Sequence, residues 1–293
     1  MASARMGSIV GEAVGVDEVS EYVRGRPAAA LRPYAAFYSG YRDSGGDLAV
    51  HRGLPSPYLT LIFTLDDPLV MADPARAPRS YRSLLGGLDP TPAFIAYGGR
   101  QSGVQVSLHP LGARVLFGCP AGELAGLELD AADVLGPLAG EVRERMLHAD
   151  TWSQRFAVLD RALLSRVDDR REVEPRVRYA WGRLLRSGGN VSVAGLADEL
   201  GWSARHLSGR FATELGLSPK TAARVVRFDR ARRALAGAPH SAAAVAAAHG
   251  YYDQSHFVRD FREFAGCSPT TWLAEEFRIV QVMGPLEAAD SPA

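Results

Sequence analysis

The sequence predicts an α+β protein of two domains, a β-rich first half with trailing helices and an all-α second half. Three observations point there. The chain has 293 residues, about twice the length of an ordinary domain. Short β-branched and aromatic runs, punctuated by Gly and Pro, fill positions 33 to 118. From about position 139 the apolar residues return at helical steps, and one short helical unit is written twice, about fifty positions apart.

Composition bounds the class. A hydrophobic share of 47% supports packed cores and excludes a disordered chain. Cys119 and Cys267 are too far apart for a metal-ligand spacing and make no disulfide framework, which points to a reduced, cytoplasmic setting. No apolar run reaches the roughly 18 residues of a membrane span, and the opening residues lack the apolar core of a signal peptide. Net charge is zero, yet residues 170 to 278 hold 17 basic and 11 acidic side chains. The rest of the chain holds 16 and 22. A basic segment beside an acidic one predicts an anionic partner for the second half only.

The elements follow in order. "YLTLIFTL" (58–65), "AFIAYGG" (93–99), "GVQVSLHP" (103–110) and "ARVLFG" (113–118) read as strands. "AGEVRERMLHA" (139–149) and "WSQRFAVLDRALLSRV" (152–167) read as helices. Phe156, Leu159, Leu163 and Val167 share one face of the second, a stripe suited equally to a second subunit or to its own β domain. The first domain then covers 1–167, and the polar "DDRREVEP" (168–175) is a linker. A helical domain covers 176–278, and residues 279–293 form a disordered tail.

Each copy of the repeat holds two short helices. "VAGLADEL" (193–200) meets Gly201 and "SARHLSGRFATE" (203–214) follows; "AAAVAAAH" (242–249) meets Gly250 and "DQSHFVRDFREF" (253–264) follows. Glycine ends the first helix at the position where a left-handed residue costs least. Ser203 and Asp253 are N-caps for the second helix. Short helix, tight turn and second helix make a helix-turn-helix unit. Ser218-Pro219 and Ser268-Pro269 open further helices with an N-cap serine and a proline at the first helical position. The long helix 219–237 joins the two units. At about 1.5 Å per residue it spans about 27 Å, comparable with the roughly 34 Å of one DNA turn. One chain thereby gains the two-groove geometry that a symmetric dimer builds from two chains.

The second helix of each unit buries a narrow stripe, Leu207 and Phe211 in one and Phe257, Phe261 and Phe264 in the other. Its opposite face offers Arg, Ser and Gln, which suits a major groove, where Arg pairs with guanine and Gln with adenine. A solvated helix face explains one such pattern as well as base reading does, but two copies with matching glycine turns favour DNA.

Residues 175–277 resemble the DNA-binding domain of the AraC/XylS family of transcriptional regulators. The likeness rests on "GYYDQSHFVRDFREFAGCSPTTW" in the second copy and on "SARHLSGRF" with "RVVRFDRARRAL" in the first. It implies sequence-specific binding to promoter DNA through two recognition helices. The base-reading positions it implies are Ala204, Arg205, Ser208 and Gly209, then Gln254, Ser255, His256 and Arg259. Gly209 departs from the family pattern, which often has a long polar side chain there, and Arg210 replaces an apolar residue and is free to reach a phosphate. Lys220, the one lysine in the chain, fits a further phosphate contact, and a helix-surface ion pair explains it nearly as well. Arg224 and Arg227 fit phosphate contacts or surface ion pairs, Arg227 being the more structural. His206 and His256 admit DNA contact and internal bonding equally.

The first half is similar to the cupin-like sensing domains of such regulators, which implies a small-molecule effector and a homodimer. Promoter DNA and RNA polymerase are the other implied partners, and no cofactor or membrane is expected. His51, Arg52, Tyr58, Tyr97, Arg100 and His109 are candidates to line a pocket, although ordinary strand and loop roles suit most of them better. A metal-dependent cupin enzyme is the rival class. It calls for a His-x-His pair with a carboxylate, and His51 and His109 are isolated. A nucleotide-binding glycine motif and a nucleophile elbow are likewise missing from the sequence.

Overall fold

The computed structural model describes residues 19–44, 49–97, 100–237 and 241–276. The tail 279–293 and the side chain of Tyr97 lie outside the described residues. The first half is built from β1 (Val19–Gly25), β2 (Ala35–Ser44), β3 (Ala49–Gly53), β4 (Leu59–Thr64) and β5 (Leu69–Met71). It continues with β6 (Arg79–Tyr81), β7 (Ser83–Gly86), β8 (Ala93–Tyr97) and β9 (Arg100–Leu108). Helix α1 (Gly112–Phe117), a 3-10 turn (Ala121–Leu124) and β10 (Glu128–Asp130) come next, followed by α2 (Ala132–Leu135), α3 (Leu138–Leu147) and α4 (Trp152–Leu164).

Every strand pairing is antiparallel. One sheet runs β1-β2-β9-β4-β7-β10 and the other β3-β8-β5-β6. β4 is covered on both faces, which is why "LTLIFT" reads as a continuous apolar run rather than an alternation. The alternating Val104, Val106 and Leu108 of β9 are fully buried.

The stretch 113–118, read from sequence as a strand, is helical. A six-residue apolar run carries no period long enough to separate helix from buried strand. Here the turn bond from Gly112 N–H to the His109 carbonyl starts a helix, and left-handed Gly118 ends it. The stripe on α4 packs on its own β domain. Phe156, Leu159 and Leu163 are buried, and Phe156 lies 5.6 Å from the Tyr38 ring. A capping box of Thr151 and Gln154 starts this helix.

The second half is wholly helical, with α5 (Pro175–Arg186), α6 (Val193–Glu199), α7 (Ala204–Leu215), α8 (Pro219–Gly237), α9 (Ala242–Ala248), α10 (Gln254–Ala265) and α11 (Pro269–Glu275). The hydrophobic core does not divide at the linker. One cluster runs unbroken from Leu31 of the β domain through α4 and α5 to Phe211, Ala222 and Val226. A second gathers Val225, Phe228 and Leu235 of α8 around Phe257, Phe261, Phe264 and Trp272. The seam between the clusters therefore runs along α8, which turns one face to each.

Candidate nucleic-acid interface

The two helix-turn-helix units are built alike. Ser192 and Ser241 cap α6 and α9, accepting from Gly195 N–H at 3.3 Å and Ala244 N–H at 3.2 Å. Gly201 and Gly250 take φ of 66° and 75°, a region open to glycine at little cost. The next residue bonds back, Trp202 N–H to the Ala197 carbonyl and Tyr251 N–H to Ala246. Ser203 and Asp253 then cap α7 and α10 by accepting from the N–H groups of His206 and His256. Both histidine rings stand edge-on to the turn aromatic, at 4.7 Å from Trp202 and 5.1 Å from Tyr251. Each ring thus ties the turn to the start of its second helix.

Burial of Leu207 and Phe211, and of Phe257, Phe261 and Phe264, fixes which faces turn outward. On α7, Ala204, Arg205 and Gly209 are exposed and Ser208 is half-buried. On α10, Gln254, Ser255, Arg259 and Arg262 are exposed, while His256 is half-buried. Lys220 is exposed at the start of α8. Arg210 turns back instead, 4.0 Å from Glu174 and 3.8 Å from Glu214. Arg224 reaches Asp260 at 2.9 Å and Glu263 at 2.8 Å and covers the Phe264 ring, which ties α8 to α10. These carboxylates hold its guanidinium well above the ordinary arginine value, and Arg224 holds Glu263 below the usual carboxylate range. Arg227 donates to the Gly189 carbonyl at 2.9 Å.

Both units also grip the β domain. Arg114 on α1 donates twice to Glu214 on α7, at 3.0 and 2.9 Å, where Glu214 is only 4% exposed. Gly122 lies so close to the carbonyls of Ala212 and Thr213 that a Cβ there would collide with them. At the second unit, the buried carboxylate of Glu276 meets His51 and accepts from Arg52 N–H at 2.9 Å, and Arg52 pairs with Glu275.

Beside this second contact a cavity of about 320 Å³ opens between the two sheets. Its walls include Tyr22, Phe37, Ile62 and Met71 from the sheets. Arg232 and Arg233 of α8, both paired with Asp229 at 2.6 and 2.9 Å, close it from the other half of the chain. Burial pushes the Arg232 guanidinium below its ordinary value. Of the pocket candidates, His51, Arg52 and Tyr58 line the cavity. Arg100 is exposed beside Asp66, and His109 packs against Tyr58. The two arginines carried no pocket signal in the sequence, because only folding brings α8 over the sheets. Among the described residues, no group of three His, Cys, Asp or Glu side chains is placed to hold a metal ion, and no helix is long and apolar enough to cross a membrane.

Residues 196–275 match a family described as "Helix-turn-helix domain". No curated protein sequence matches the chain. Among solved structures, apo ToxT in a variant form from Vibrio cholerae strain SCE256 is similar at a TM-score of 0.50 and 12% identity, covering 81% of this chain and 97% of that one. ToxT from Vibrio cholerae O395 bound to (E)-4-(8-methylnaphthalen-1-yl)but-3-enoic acid is similar at 0.48 and 12%, covering 87% and 99%. An AraC-type transcriptional regulator from Chromobacterium violaceum is similar at 0.32 and 25%, covering 34% and 90%. The first of these likenesses shows a shared fold of β-rich and helical halves. The helical half therefore carries a helix-turn-helix domain over residues 196–275.

Proposed function

We propose, from the helix-turn-helix match over residues 196–275 and the resemblance of the sequence to AraC/XylS regulators, that the chain is a sequence-specific transcriptional regulator acting in the cytoplasm. Helices α7 and α10 enter successive major grooves of double-stranded promoter DNA. The observation that carries this reading is the pair of matched turns, each presenting a helix with one buried face and one polar face. Arg205 and Arg259 read guanine and Gln254 reads adenine through bidentate bonds. Ser208 and Ser255 add single hydrogen bonds, Ala204 meets a thymine methyl, and Gly209 lets the backbone approach. Lys220 takes a phosphate. Arg210, engaged by Glu174 and Glu214, and His256, set against Tyr251, support the domain instead of the contact.

A small-molecule effector in the cavity between the sheets tunes the arrangement, since α8 and α11 help to line that cavity. A homodimer is the proposed assembly, with a face other than the buried stripe of α4. RNA polymerase is the partner that reads out binding. The chain is not an enzyme in this reading. Selecting duplexes from a random pool with the full chain tests it, with enrichment of a two-part site about one helical turn apart as the expected result. Enrichment of no sequence overturns it.

A further inference from the structure

The two turns differ by one residue, and that residue is Tyr252. Up to the turn the units correspond at an offset of 49, with Ala197, Gly201 and Trp202 matching Ala246, Gly250 and Tyr251 in their bonds. From the N-cap onward the offset is 50, with Ser203 and His206 matching Asp253 and His256. The second turn absorbs the extra residue through a nearly fully extended Asp253, at φ −154° and ψ 177°. Adjacent tyrosines then meet opposite fates. Tyr251 is 5% exposed, edge-on to Phe257 and His256 and beneath the Arg227 guanidinium. Tyr252 is 93% exposed, while the next large apolar side chain among the described residues is 52% exposed. Its N–H donates to His256 Nδ1 at 3.4 Å, which fixes the backbone beneath a side chain that packs on nothing.

We propose that the Tyr252 hydroxyl is a phosphate contact that positions α10 on the DNA. The inference rests on the DNA-binding reading above. Base edges are read from the first turns of a recognition helix, where Gln254, Ser255 and Arg259 stand. A residue ahead of the N-cap stands toward the rim of the groove, beside the sugar-phosphate strand. Tyrosine hydroxyls serve there as donors that set register without reading sequence. A rigid ring carries the hydroxyl outward and loses less side-chain freedom on contact than a lysine would. The first unit has no counterpart, so the contact belongs to α10 alone.

The contact is neutral, and that makes it separable from a lysine or arginine clamp. Cations on phosphates release counterions and steepen the salt dependence, whereas a tyrosine does not. The test measures affinity of the full chain and of Tyr252→Phe, Tyr252→Ala and Lys220→Ala for the selected duplex, for all its single-base variants and over a salt series. Tyr252→Phe and Tyr252→Ala should each lose about ten- to a hundredfold, equally on every duplex, as expected for one hydrogen bond to a charged acceptor. Their salt slope should match wild type, while Lys220→Ala should lower its slope by about one. Wild-type affinity in both Tyr252 variants overturns the proposal. So does loss in Tyr252→Ala alone, which assigns the work to the ring, or loss confined to one base pair, which makes Tyr252 a base reader. A wild-type chain that binds no duplex removes the DNA reading itself, and the proposal with it.

Discussion

Arginines that look alike in the sequence divide into two kinds in the fold. Arg205 and Arg259 are exposed on α7 and α10, whereas Arg224 ties α8 to α10 and Arg227 ties α8 to the turn after α5. Arg259→Ala should cost about 1–3 kcal/mol of binding and relax preference at one base pair, with no change in melting temperature. A uniform loss over all single-base duplexes would make Arg259 a phosphate clamp instead. Arg224→Ala should act on stability, because it leaves Asp260 buried without its main partner, at a cost of about 1–3 kcal/mol in a denaturant titration. The same tie gives a pH signature. Arg224 depresses Glu263 below its ordinary 4.5, so the contribution is complete above about 4.5 and is lost as pH falls through the lower folded value. Glu263→Gln should therefore flatten the acid limb of the stability curve and lower stability at neutral pH, as followed by thermal melts from pH 3 to 7.

Helix α7 carries a built-in weakness. Gly209 sits in mid-helix on the exposed face, and a Cβ added there would meet nothing within 4 Å beyond the backbone of its own helix. Gly209→Ala should stabilise the chain by about 0.5–1 kcal/mol, and an unchanged or lower melting temperature would show that glycine is needed there. Helices and turns of this half were legible in advance, from α6 to α11, because Gly, Ser-Pro and the i, i+3, i+4 stripes act over a few residues. The run 113–118 was not legible, since six apolar residues fit a strand or a helix until neighbours decide. The α4 stripe was legible as a stripe but not as to its partner, and Tyr38 and the β sheet supply that partner. Strand β1 arises from a stretch with weak local signals and is held along its whole length by pairing with residues 38–44 of β2.

The junction between the halves is where distant parts of the chain are coupled. Arg114→Ala should leave the Glu214 carboxylate buried with only Arg210 nearby, and cost about 1–3 kcal/mol in unfolding. Gly122→Val should act at the same seam, through collision with the Ala212 and Thr213 carbonyls, and the double variant should lose less than the sum. A fragment of residues 170–278 should still be helical and bind DNA with steep salt dependence. It should melt below the full chain, because α7 and the first-unit core lean on α1 and the 121–124 turn. A fragment that melts with the full chain would show that the shared core adds nothing.

Local chemistry settled the two-part plan, the matched helix-turn-helix units, the long joining helix and the helix faces that point outward, because caps, turns and hydrophobic periods are written within a few residues. Three further features came from contacts a hundred or more positions apart in the chain. Arg114 grips Glu214, His51 and Arg52 grip the end of α11, and Arg232 and Arg233 reach the cavity between the sheets. No local pattern encodes which surface a polar side chain will meet, so the continuous core and the cavity wall were decided only when the halves packed, and the division between exposed and structural arginines only when α8 packed on its neighbours.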